Sequence, residues 1–211
     1  MGGRGASSSG GDGLPARFRS ALGRKGKPIG YRAALGTVNK PRYYDDKAYQ
    51  INCQRCVYAY EMQRRGYKVA ALANWTHGAD GFSNSSTGGY RHVFEGQQWE
   101  PISSYGGGLT AAGKANMLER RIKEKFDEWP DGARAVVSVS WKRAKSGHVF
   151  NVERVGGEVR ICEAQTGRIK PLSAYMSMCK PDSVQISRLD NLTKPTDNLL
   201  QCVTQHYNML K

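Results

Sequence analysis

The sequence has no long hydrophobic run. Its opening, Met1-Gly2-Gly3-Arg4-Gly5-Ala6, lacks the apolar stretch of a signal peptide, and no later segment reaches the roughly 20 residues that cross a bilayer. Neither a secretory leader nor a membrane span is expected, so any export relies on a dedicated device. Acids are also scarce. Eighteen Asp and Glu face 32 Lys and Arg, a formal net charge of +14, and Asp12 is the only acid in residues 1–44. Five cysteines are an odd number in a chain too long for a disulfide miniprotein, which points to a reducing compartment, the cytoplasm of a producing or a target cell. Cys53-x-x-Cys56 has no second such pair to complete a zinc site, since Cys162 and Cys179 lie too far apart. No strand of a βαβ unit leads into it, as a thioredoxin-like redox pair requires. No metal and no organic cofactor is expected.

The cations that remain are unevenly placed. Residues 1–44 hold nine Lys or Arg, and their Gly/Ser/Arg-rich character predicts a disordered basic tail over residues 1–40, with a folded domain over 41–211. Such a tail suits either a soluble linker or nonspecific contact with nucleic-acid phosphates. At 39% hydrophobic the rest suffices for one core. Asn52 reads as the N-cap of a helix from Cys53 to Arg65, stopped by Gly66, with Cys56, Val57 and Tyr60 facing the core and Arg55, Arg64 and Arg65 left wet. Residues 74–108 read as loop around a strand at Tyr90–Phe94. A second helix over 114–128 carries Leu118, Ile122 and Phe126 on one face. The period then becomes two: a half-buried strand spans Ala135 to Trp141, and runs at 148–155 and 158–164 flank Gly156-Gly157 as a hairpin. Val184, Ile186 and Leu189 suggest one more strand, followed by a short C-terminal segment.

Chemistry concentrates at two of these places. The thiolate is the reactive form of cysteine, and the partial positive charge of a helix N-terminus lowers a thiol's pKa. Cys53 holds that position, and Cys56, one turn deeper on the apolar face, is the alternative nucleophile or simply a packing residue. Such a nucleophile needs a base and a group to orient the base. With Gly156-Gly157 as a two-residue turn, Val155 faces Glu158 and His148 faces Gln165, with Glu163 as the diagonal neighbour of His148. Either Glu163 or Gln165 can then hold the imidazole. His77, His92 and His206 read as surface residues, and the four tryptophans as core or rim packing.

Three segments together carry a resemblance: Asn52-Cys53-Gln54-Arg55-Cys56-Val57 with Arg64-Arg65-Gly66-Tyr67, then Ser146-Gly147-His148-Val149-Phe150-Asn151-Val152-Glu153, then Gln165-Thr166-Gly167. Over roughly residues 40–192 the chain resembles the papain-fold toxin family of glutamine deamidases, modules of secretion-system toxins and of phage or prophage head proteins. The resemblance implies an α+β, papain-like fold, with the catalytic helix packed on an antiparallel sheet. It implies a catalytic triad of Cys53, His148 and Glu163, where Glu163 stands in place of the family's aspartate, and an acidic immunity partner. It also implies a protein substrate whose glutamine amide is attacked by Cys53. The oxyanion would sit on the Cys53 N–H, helped by Asn52 or Gln54, by analogy with other acyl-transfer sites. A cysteine protease or isopeptidase of the same fold uses the same triad, and a nonenzymatic nucleic-acid or capsid-associated module is the third reading.

Overall fold

The computed structural model describes residues 14–76, 79–84, 86–102 and 109–205. In chain order the elements are α1 (Ala16–Leu22), α2 (Tyr31–Thr37), α3 (Cys53–Arg64), β1 (Val69–Ala71), β2 (Glu100–Pro101), α4 (Ala111–Asp127), β3 (Arg134–Ser140), β4 (Gly147–Val155), β5 (Glu158–Glu163), β6 (Arg168–Lys170), α5 (Ser173–Met176), β7 (Gln185–Arg188) and β8 (Val203–Gln205). Four short 3-10 turns join them.

Six strands form one antiparallel sheet in the order β2-β7-β3-β4-β5-β6, while β1 and β8 pair separately. Side chains alternate across a strand, and both faces of this sheet are covered. Val136, Val149 and Cys162 join the cluster around α3, whereas Ala135, Val137, Val139, Phe150, Val152 and Ile161 join the cluster under α4 and α5. The sheet is therefore the middle layer of three, and β3, expected to be half-buried, is covered on both sides.

The sequence expectations that fail do so through distant partners. Helix α3 has no wet face: Arg55 is buried and bonded to Asp80 at 2.7 Å, Arg64 pairs with the buried Glu153, and Arg65 and Arg134 share the buried Glu61. Each buried carboxylate is compensated by hydrogen-bonded guanidinium, which is what burial of charge requires. Tyr90–Phe94 is a 3-10 turn over Gly89–His92, not a strand. Order also begins well before residue 41. Helices α1 and α2 bury Phe18, Leu22, Ala34, Leu35 and Val38 in the α3 cluster, so within residues 14–40 the segment is part of the domain, while residues 1–13 lie outside the described residues.

Two glycines fix how that segment docks. Gly66 ends α3 at φ 104°, and a Cβ there would sit 2.4 Å from the Gly26 carbonyl. Gly167 turns β5 into β6 at φ 70°, and its Cβ would meet the Leu35 carbonyl at 2.8 Å. Both positions need a positive φ and a close backbone neighbour, which only glycine allows.

Candidate active site

Cys53 is the first residue of α3, where the leading N–H groups have no intrahelical acceptor. Asn52 precedes it but does not cap the helix with its side chain. Instead its amide is a buried junction. Nδ2 donates to Asn39 Oδ1 and to the Leu72 carbonyl, both at 2.9 Å, and Oδ1 accepts from Cys56 Sγ at 3.2 Å and Gln165 Nε2 at 3.4 Å. Both Nδ2 hydrogens are engaged, so this side chain has none left for an oxyanion. Gln54 differs. Its Oε1 accepts from Cys53 Sγ at 3.3 Å, and it lines the cleft with its amide NH2 as the donating half. Cys56 is fully buried, and burial first, then the neighbouring Cys53, push its thiol pKa well above the ordinary value. That environment suits packing, not nucleophilic attack.

His148 stands near the start of β4, opposite Val139 of β3. Its Nε2 is 2.8 Å from Glu163 Oε2, which leaves Nδ1 as the ring nitrogen for Cys53. Burial opposes charging this imidazole, but the Glu163 carboxylate and the hydrogen bond and charge of Cys53 prevail and raise its pKa to about 10. Glu163 is itself 1% exposed. Burial would raise its pKa, yet His148, the Tyr175 hydroxyl at 2.6 Å and the Gln165 N–H at 3.2 Å hold it below the usual carboxylate range. The hairpin register expected from Gly156-Gly157 holds from Val155↔Glu158 to Asn151↔Cys162. Beyond it the chain turns toward β6, so Gln165 is not the cross-strand partner of His148. It sits in that turn, behind Asn52, and its carbonyl accepts from Asn39 Nδ2 at 2.9 Å.

Two further residues shape the site. Tyr175, in α5, donates to Glu163 and accepts from Lys170 Nζ at 2.9 Å, and burial keeps its phenol protonated well above the ordinary range. Trp141 stacks on the His148 ring with centroids 5.8 Å apart and planes 24° apart, while Tyr175 meets the same ring edge-on at 5.7 Å. Nothing local in the sequence marks Tyr175, because β6 and a tight connection bring it back from twelve residues beyond Glu163. Trp141 carried a signal in its place, at the end of the strand that pairs with β4, but a lone tryptophan reads first as packing. His92 is exposed, and His77 and His206 lie outside the described residues.

Cys53, Gln54, His148, Glu163, Gln165, Trp141 and Tyr175 share the lining of one cleft of about 900 Å³. Thiol attack on an amide requires a group that withdraws a proton and later protonates the departing amine, and one imidazole here can do both. On a helix packed against an antiparallel sheet, that chemistry defines a papain-like cysteine hydrolase. Comparison with family models narrows the class: the model described as papain fold toxin 1, glutamine deamidase, matches residues 51–168. The chain belongs to this family. It is a hydrolase of glutamine amides with a protein target. No curated protein and no solved structure matches the chain.

Proposed function

We propose that Cys53 is the nucleophile, His148 its acid and base, and Glu163 the group that orients and charges His148. The observation that carries this reading is His148 itself, half-buried between the first residue of α3 and a carboxylate at 2.8 Å, with its pKa raised by both. The Cys53 thiolate attacks the side-chain carbonyl carbon of a target glutamine. The oxyanion rests on the free N–H groups at the start of α3 and on the Gln54 amide, whereas Asn52 braces the helix start and Gln165 the turn behind it. As the C–N bond breaks, the His148 imidazolium gives its proton to the departing ammonia and a thioester forms. His148 then removes a proton from water, which releases glutamate and regenerates the thiol. The target gains a negative charge and loses an amide donor.

Wild type beside Cys53→Ala, His148→Ala and Cys56→Ala tests the assignment, by ammonia release from protein or peptide glutamine. The first two variants should lose activity at least about 1000-fold, and Cys56→Ala should keep most of it at a cost of about 1 kcal/mol in stability. New termini on the target in place of ammonia would make the enzyme a protease. Two partner readings rest on charge. An acidic immunity protein would complement the basic surface. The exposed Arg19, Arg24, Lys25 and Lys27 suit contact with nucleic-acid phosphates, which charge reversal at these four would abolish.

A further inference from the structure

Beside the catalytic cleft lies a second cavity, of about 770 Å³, whose lining includes Trp141, Lys142, Arg143, Tyr175, Ser177 and Met178. It adjoins the cleft, since Trp141 and Tyr175 line both. The Trp141 indole, stacked on His148, forms part of the wall they share. The floor is apolar, and Met178, a flexible and adaptable side chain, is 48% exposed. The rim is basic. Lys142 and Arg143 line it, and Lys145, of the same exposed loop between β3 and β4, lines the adjoining cleft; Lys142 is held by the Ser177 carbonyl at 2.8 Å, and no ion pair of Arg143 or Lys145 occurs among the described residues. Among the described residues lining the two cavities the only acid is Glu163, which is engaged with His148. A wall of one charge sign beside an apolar floor selects its occupant: an apolar side chain for the floor and a carboxylate for the rim.

We propose that this groove is a substrate-selecting subsite, which takes an apolar residue followed by an acidic one, a few positions from the glutamine that enters the cleft. The proposal rests on the deamidase reading and supplies its substrate class: glutamines in extended, exposed segments with an apolar-acidic flank. An extended chain advances about 3.3 Å per residue, so a segment that leaves the cleft over Trp141 reaches the groove within a few residues. The acidic flank contributes to binding and leaves the chemistry at Cys53 unchanged.

The test uses the full chain carrying Cys53→Ala and fluorescent peptides with one central glutamine, flanked on either side by Leu-Asp, Leu-Lys or Ala-Asp. Leu-Asp peptides should bind at least about tenfold tighter than Leu-Lys peptides on one side of the glutamine. Lys142→Glu and Arg143→Glu should each remove most of that preference, whereas Lys194→Glu, the same charge change outside both cavities, should leave it. Met178→Ser should weaken Leu-Asp peptides toward the Ala-Asp level. In the chain with Cys53 restored, Lys142→Glu should raise KM for the Leu-Asp peptide and leave kcat unchanged. Binding that is indifferent to the flank, or a preference lost equally in Lys194→Glu, overturns the groove as a subsite. A peptide that binds with the expected preference but yields no ammonia upholds the groove and overturns the deamidase assignment instead.

Discussion

At the scale of single residues the site is governed by one buried charge relation. His148 has its pKa raised from 6.5 to about 10, so its protonation contributes stability that is complete below about pH 6.5 and is lost as pH rises through 10. Glu163, held below its ordinary 4.5, acts in the opposite sense, its contribution being present above that value and lost in acid. The imidazolium is also the acid that ammonia departure needs. Activity should accordingly persist to a high pH, with an alkaline limb near 10. Replacing Glu163 with Gln removes the dominant opposing charge, and the limb in the pH profile of kcat/KM should move down by about two pH units, with kcat reduced about 100-fold or more. Tyr175→Phe removes a 2.6 Å bond to that carboxylate and leaves the cleft's shape. A roughly tenfold fall in kcat with KM nearly unchanged is expected, since one hydrogen bond to a charged group is involved.

At the scale of elements, Gly66 is the most exacting position. Gly66→Ala places a Cβ 2.4 Å from the Gly26 carbonyl at a φ that an alanine resists. We expect a loss of about 2 kcal/mol or more by denaturant titration, with new proteolytic cleavage near residue 26 as the first sign. The elements also show what sequence can and cannot tell. The β4–β5 hairpin is legible because Gly156 and Gly157, at φ 59° and 81°, fit the turn that two positive-φ residues make. Helix α4 is legible from the buried Leu118, Ile122 and Phe126. Tyr90–Phe94 has a strand's composition, but its carbonyls find other partners: Tyr58 hydroxyl bonds that of Tyr90, Trp99 that of Arg91, and Thr196 and Asn198 that of His92. Those donors lie up to 106 residues away, beyond any local pattern. Arg55 misleads for the same reason, since Asp80 is what allows its burial. In the site, Cys53, His148 and Glu163 follow from helix position and hairpin register, whereas the bend after Glu163 that diverts Gln165 and returns Tyr175 leaves no periodic trace.

At the scale of the whole molecule, the composition of residues 1–13 masks a helical spacing that begins immediately after them. Leu14, Phe18 and Leu22 recur every four residues, and Phe18 and Leu22 are buried with Leu35 and Val38. Each such side chain contributes about 1.5–3 kcal/mol by leaving water. Deleting residues 1–40 should therefore leave a chain that does not melt cooperatively, which calorimetry would register, whereas a mere linker could be removed without effect. Asn39 gives the finer measure. Its amide donates to Tyr49 and Gln165 carbonyls and accepts from Asn52, so Asn39→Ala should cost about 2–3 kcal/mol and lower activity together.

That three-way stitch has a consequence for how such a domain is inherited. Where recombination joins a domain to a new carrier, a breakpoint is tolerated only where few contacts cross it. A crossover between Asn39 and Asn52 would preserve the catalytic helix and all of residues 51–168 while removing the brace behind both the nucleophile and the Gln165 turn. Productive exchanges should instead fall before Leu14 and after β8, because β7 lies inside the six-stranded sheet and Leu189, Leu199, Cys202 and Val203 pack in the α3 cluster, which makes the heritable unit of this toxin substantially larger than its family signature.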